Sequence, residues 1–171
     1  MGICQSDKPD DIDEFDKYNY LPYSTDIKNI PVYVPKFTYG RVIKVYDGDT
    51  IWMTATIDNI SYRFNIRLYG IDSPELKPKE GTIEEKHRES VYANISKSKL
   101  SELILDKIVK VSILNQTKIN NRLINEKYGR LLCNVYIKHH GQLISVNKWM
   151  LDNKYAIEYD GGRKKKWNST K

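Results

Sequence analysis

Cysteine is almost missing from this chain: among 171 residues only Cys4 and Cys133 carry a thiol. One stands near the start and the other inside an expected strand, so a disulfide framework is not expected and a reducing compartment is. Histidine is nearly as scarce, with His87, His139 and His140 alone, which leaves no His/Cys cluster of the kind that binds zinc. Long apolar runs are lacking too, so neither a transmembrane helix nor a secretory signal of the usual pattern is expected. No internal repeat is visible. What is present, 40% hydrophobic and 29% charged residues, suits one soluble globular domain with a real core and tails.

Charge is unevenly spread. Residues 1–36 hold seven acids against four lysines, a net of −3; with +6 overall, the remainder carries +9. A basic globular unit behind an acidic leader suits a polyanionic partner, because phosphates neutralised by Lys and Arg release their counterions. Many basic surfaces are only soluble faces, so charge supports such a partner without selecting it.

The first six residues, Met1-Gly2-Ile3-Cys4-Gln5-Ser6, match the pattern for N-myristoylation at Gly2, and Cys4 stands where a palmitoyl group can be added. Two acyl chains anchor stably where one binds marginally. The expectation is attachment to the cytosolic face of a membrane if the chain is acylated, and a cytoplasmic location otherwise. The rest of the leader, residues 7–36, places Pro9, Pro22, Pro31 and Pro35 among acids and reads as an extended tether. Tyr18, Tyr20, Tyr23 and Tyr33 leave open that it docks onto the domain instead.

From residue 37 the punctuation becomes regular. Tyr39–Tyr46 and Thr50–Ile57 are rich in β-branched and aromatic residues, and Asp58-Asn59 is a two-residue hairpin turn before a third strand, Ile60–Leu68. Thr82 and Glu85 have capping-box spacing and open a helix through roughly Asp106, with apolar positions at Val91, Ile95, Leu103 and Ile104. Ser96 to Lys99 interrupts that stripe and predicts a shorter helix. Ile108–Leu114 and Arg130–Lys138 are the fourth and fifth strands, and Ser145 caps a second helix with Val146, Trp149 and Met150 on one face. Gly161-Gly162 followed by Arg163-Lys164-Lys165-Lys166 closes the compact part. The expected organisation is therefore a leader at 1–36, a domain at 37–160 and a basic tail at 161–171. Pattern alone yields an α+β, mainly β fold, barrel or sandwich; five strands with a helix between the third and fourth is what an OB-type barrel requires.

Three short segments carry the chemistry: Asp47-Gly48-Asp49-Thr50, Arg67-Leu68-Tyr69-Gly70-Ile71-Asp72-Ser73-Pro74-Glu75, and Lys127-Tyr128-Gly129-Arg130. Each alone has a plainer reading, as a hairpin turn, a loop start, and a turn into a strand. Together and in this order they resemble the staphylococcal nuclease (thermonuclease-like) family, whose sites carry Asp-Gly-Asp-Thr, Arg-Leu-x-x-x-Asp-Thr-Pro-Glu and Lys-Tyr-Gly-Arg. The likeness runs from about Tyr39 to Tyr159 and leaves both ends of the chain aside. It implies a five-stranded OB-type barrel with about two packed helices, and a calcium-dependent endonuclease that cuts DNA and RNA and leaves a 3′-phosphate. The best-known members continue into a further helix, which here is expected to be absent or replaced by packing of the leader.

Hydrolysing a phosphodiester means neutralising its oxygens, activating a water and holding the attack in line. Asp49 and Asp72 are the expected carboxylate ligands of one cation, with the Ser73 backbone carbonyl as a third oxygen. All-oxygen ligation suits Ca²⁺ or Mg²⁺, and the resemblance selects calcium, with Mg²⁺ as the alternative. Asp47, two residues from Asp49, is expected to shape the turn, with a weak or second-sphere ligand role as the alternative. Pro74 keeps its segment out of a helix, and Glu75 is the candidate general base. Arg67 and Arg130 supply fork-shaped donors for the scissile phosphate.

By the resemblance, Lys127, Tyr128 and Tyr159 contact the neighbouring phosphate or base, where stacking binds many bases without reading sequence. The polar segment Asn115–Glu126, with Lys118 and Arg122, reads as a solvated loop beside the site or a flap over it. Other features carry no special role: Arg63 as a solvated face residue, His87 without partners, and Cys133 as a small buried hydrophobe. His139-His140 is placed in a strand-to-helix turn with diverging side chains. The expected protein is a monomer with DNA and RNA as partners. The alternative is a non-catalytic barrel of the same kind, acting as a membrane-tethered nucleic-acid or protein interaction module.

Overall fold

The computed structural model describes residues 35–114, 130–162 and 167. Among the described residues, eight strands and two helices follow in chain order: β1 Tyr39–Val45, β2 Thr50–Ile57, β3 Ile60–Leu68, β4 Ile71–Asp72, α1 Ile83–Ile104, β5 Ile108–Ile113, β6 Leu131–His139, β7 Gln142–Ser145, α2 Val146–Asp152 and β8 Ile157–Glu158. The strands β3-β2-β1-β5-β6 pair in sequence around a ring, and a parallel β3–β6 contact, Ile66 with Leu131 through Leu68 with Cys133, closes it. This is the expected five-stranded OB-type barrel, mainly β, with two helices packed on it.

Local chemistry accounts for most of the pairing. In β2 the alternate residues Ile51, Met53 and Ala55 are buried, as a half-buried strand of period two requires. Asp58 and Asn59 both take positive φ, 50° and 64°, the type I′ geometry that matches the twist of a two-residue hairpin. A register shift between Val42 and Lys44 bends β1 where the barrel curves. The core holds Val42, Ile51, Ile66, Leu100, Val135 and Met150 with no exposed surface, each burial contributing about 1.5–3 kcal/mol.

The helices correct two expectations. Thr82 and Glu85 form the expected capping box, each side chain accepting from the other's backbone N–H, but α1 runs unbroken through Ser96–Lys99 to Ile104. Its buried face is Ala93, Ser96, Leu100, Leu103 and Ile104, whereas Val91 and Ile95 face outward. The reason is Ser96: its hydroxyl donates to the Tyr155 carbonyl at 2.8 Å, so the polar interruption is itself the contact. In α2 the expected Ser145 cap is present, accepting from the Lys148 N–H, with Val146 and Met150 fully buried and Trp149 packed against the core.

His140 also departs from expectation. A further strand, β7, separates it from α2, so His140 and Gly141, at φ 48° and 81°, form a hairpin turn. Left-handed φ swings the His140 ring edge-on against His139, with centroids 4.2 Å apart, in place of the divergence of an extended strand.

Candidate active site

The turn from β1 to β2 is built by its own side chains. Asp47 accepts the Asp49 N–H at 3.1 Å, which fixes the loop, and the Tyr46 N–H donates to the Thr50 carbonyl at 2.9 Å. Gly48 is there because nothing larger fits: a Cβ would lie 2.0 Å from Ser96 Oγ and 2.7 Å from Ser73 Cβ. That close approach sets Asp49 against the segment after β4, where its Oδ2 accepts the Ser73 N–H at 2.8 Å.

Arg67 enters from the end of β3, paired across the sheet with Thr50. Its guanidinium forms ion pairs with both Asp49 and Asp72, the latter at 2.9 Å, and donates to the Ile71 carbonyl at 3.2 Å. Asp49, Arg67 and Asp72 expose only 3%, 6% and 6% of their surface. Two buried carboxylates thus share one buried cation, and the excess negative charge calls for further positive charge nearby. Part of it comes from Arg130, whose Nη1 reaches Thr50 Oγ1 at 3.5 Å; that hydroxyl donates in turn to Asp49 Oδ1 at 2.9 Å. The two arginines are therefore separated by one hydroxyl and one carboxylate.

Asp47 senses the same charges. Burial pushes its carboxyl above the ordinary aspartate range and outweighs the Arg67 charge, the Thr50 hydrogen bonds and the Arg130 charge, all of which pull it down.

Asp72 is held by β4, which pairs with β8 through Asp72 and Ile157. Gly70, at φ 76°, makes the turn from β3 into β4 in a conformation other residues resist. After buried Ser73 and Pro74 the chain emerges at Glu75, which is exposed. The Glu75 N–H donates to Glu89 on α1 at 3.0 Å, and Ser90 donates to the Leu76 carbonyl at 3.1 Å, so α1 tethers the loop carrying the acid.

Asp49, Arg67, Asp72, Ser73 and Arg130 are therefore brought together, and Glu75 follows them three residues after Asp72 on an exposed stretch of chain. Tyr159 lies beyond β8, its N–H donating to the Gly70 carbonyl and its hydroxyl to the Gly162 carbonyl. Lys127, Tyr128, the segment 115–126, Gly2 and Cys4 lie outside the described residues. Cys133 is buried and free, its thiol pushed up to about 12 by burial, as suits a packing residue.

The donor set has the chemistry of a hard-cation site. Asp49 and Asp72 converge closely enough for one guanidinium to clasp both, and among the described residues they meet oxygen and nitrogen donors of Arg67, Thr50 and Ser73, with no imidazole or thiolate. Among the described residues no three His, Cys, Asp or Glu side chains gather as a metal-ligating group, so a cation here would rely on two carboxylates and on backbone oxygen.

Sequence reasoning missed the supports: Ser96, Glu89, Ser90 and Asn147. Asn147 on α2 accepts the Val135 N–H at 2.9 Å and donates to the carbonyls of Tyr69 and Cys133 at 2.8 and 3.2 Å. Its one legible signal is a polar residue beside apolar Val146 at the start of a short helix.

A sequence profile of the staphylococcal nuclease homologue family matches residues 65–171. An uncharacterized protein of Methanocaldococcus jannaschii, MJ1439, is 26% identical over 156 residues, spanning 84% of this chain and 68% of the relative. The Asp49 turn precedes the profile match and is joined to it physically, through Arg67 and Ser73. With well over half of the sequence matched and the barrel in place, the chain belongs to the staphylococcal nuclease homologue family.

Proposed function

We propose that the protein is a metal-dependent endonuclease that hydrolyses phosphodiester bonds of DNA and RNA with little sequence preference. The observation that carries this reading is the Asp49–Arg67–Asp72 cluster with Arg130 one hydroxyl away. Asp49, Asp72 and the Ser73 carbonyl would hold Ca²⁺, or Mg²⁺ as the alternative. When bound, such an ion supplies positive charge to the phosphate and lowers the pKa of a nearby water.

The remaining steps belong to the chain. Arg67, oriented by its two carboxylates, and Arg130 donate to the phosphate oxygens, where charge grows as the water attacks. Glu75 takes a proton from that water as the new P–O bond forms; the bond to the 5′-oxygen breaks, and solvent protonates the leaving oxygen. Lys127, Tyr128 and Tyr159 would hold the flanking phosphate or base. The exposure of Glu75 beside the buried Asp49, Arg67 and Asp72 favours a second reading, a non-catalytic barrel that binds nucleic acid or protein.

One experiment separates the two readings. Single-stranded or plasmid DNA should be cut when calcium is supplied and left intact with a chelator, and Glu75→Gln should cut about 10²–10⁴-fold more slowly. Glu75→Gln cutting at the wild-type rate would remove the assigned base; a wild-type protein silent with calcium and with magnesium supports the second reading.

Acylation at Gly2 and Cys4 would place this activity on the cytosolic face of a membrane. That proposal rests on the terminal motif alone. A myristate analogue should label the wild-type chain and not Gly2→Ala in a competent eukaryotic cell; an unlabelled wild type ends it.

A further inference from the structure

Trp52 stands on the outer face of the barrel at the middle of the β1–β2–β3 sheet. Lys44 pairs with it across β1, and Asn65 across β3, with Arg63 two residues along. Lys44 Nζ lies 4.6 Å from the Trp52 ring centroid and Arg63 Cζ 4.7 Å. Cations from the two flanking strands thus converge on one indole. Both are exposed, and neither pairs with a carboxylate among the described residues.

The arrangement holds two like charges ready for an anion. Each contact with the ring contributes about 0.5–1 kcal/mol at an exposed site. The two like charges can be no more than about 9 Å apart and repel each other, weakly in water. The indole holds two long, flexible side chains toward one region, so less of their freedom remains to be lost when an anion arrives.

Position supplies the identity of that anion. Residues 63, 65 and 67 alternate along β3 and so share a face, and Thr50, the partner of Arg67, lies two residues before Trp52. Arg63 is about 13 Å from Arg67 along the strand, at about 3.3 Å per residue. That span equals about four nucleotides of a duplex strand, and fewer when the strand is extended. A polyanion with its scissile phosphate at Arg67 and Arg130 would therefore lay its neighbouring phosphates across Lys44 and Arg63.

We propose that Lys44, Trp52 and Arg63 form a second phosphate-binding site, a backbone track that guides a nucleic-acid strand along the outer face of β1–β3 to the Arg67–Arg130 centre. Trp52 seats the cations, and its ring is engaged by them, so the track reads charge and not base identity. The inference rests on the endonuclease reading for its direction, and on the sheet alone for its existence.

The test is the double variant Lys44→Gln/Arg63→Gln, compared with wild type in two assays. In the first, a fluorescently labelled single-stranded oligodeoxynucleotide of thirty residues is titrated by anisotropy, in chelator, over a range of salt. The plot of log affinity against log salt should become shallower by about 1.4, at about 0.7 per lost single-strand phosphate contact. In the second, with calcium, KM for the oligonucleotide should rise several-fold with kcat retained. A nitrophenyl phosphodiester of thymidine, too short to reach the track, serves as reference and should show no rise. An unchanged salt slope overturns the track, as does an equal loss on long and short substrates, which would mean that the substitutions disturb the centre itself. If wild type cuts neither substrate, the endonuclease reading falls while the salt slope still decides the track.

Discussion

Replacing Arg67 by methionine is expected to reduce phosphodiester cleavage by a hundredfold or more and to destabilise the calcium-free protein by about 3–5 kcal/mol. Both effects come from one group. As a donor to the phosphate, Arg67 acts where charge accumulates in the transition state, and methionine offers nothing in its place. As the partner of Asp49 and Asp72, it is the cation that makes two buried carboxylates tolerable. Removing it leaves both buried acids without that compensation. Calcium should therefore raise the melting temperature of Arg67→Met by more than that of wild type while restoring none of the lost rate. Arg67→Lys is the complementary probe: it keeps a charge between the aspartates but loses the two-pronged clasp, so it should recover much of the stability and little of the activity. Thermal melts with and without calcium, beside initial rates, read both quantities. A methionine variant as stable as wild type in chelator would mean that the buried triad contributes no net stability. Activity within tenfold of wild type would remove Arg67 from the phosphate.

This dual duty shows where sequence reading reaches and where it stops. Strands were legible because Ile51, Met53 and Ala55 alternate with outward residues, and the hairpin because Asp58-Asn59 tolerates positive φ. The chemical segments were legible because their residue types and order form a recognisable set. What a string of letters does not carry is the partner. Arg67 reads as a phosphate ligand, and its clasp by Asp49 and Asp72 exists only after β3 and β4 fold back together. Gly48 reads as turn chemistry, yet it is required by the approach of Ser73 and Ser96. Arg63 reads as a solvated residue, and it is exposed, but its stacking on Trp52 depends on the β2–β3 register. Ser96 breaks an apolar stripe, and the break is satisfied 59 residues away by Tyr155. Two-residue β4 and β8 are too short for any periodic signal, although they hold Asp72 in place.

Asn147→Leu should be the most damaging substitution outside the charged cluster, lowering stability by about 2–6 kcal/mol. Asn147 is 5% exposed, and its side chain bridges three backbone groups, two on β6 and one in the turn after β3. One of them, the Cys133 carbonyl, also accepts from the Tyr69 N–H and keeps a partner. The Val135 N–H and the Tyr69 carbonyl lose the hydrogen bonds Asn147 supplies, each at a cost of about 1–3 kcal/mol when left buried and unmade. Leucine fills the volume but supplies neither donor nor acceptor. Asn147→Asp tests the direction of the bonds: it can still accept from Val135, yet it cannot donate to Tyr69 and brings a charge into the barrel wall, so it should be no better than leucine. The damage should also reach the chemistry. Tyr69 and Gly70 lead directly into Ile71 and Asp72, so loosening the Tyr69 carbonyl frees the segment that orients the second carboxylate. Under conditions where the variant remains folded, its cleavage rate should fall and its response to calcium should shift to higher concentration. Urea unfolding followed by tryptophan fluorescence gives the stability difference; a loss below about 1 kcal/mol would show that other groups satisfy the strand ends when Asn147 is gone.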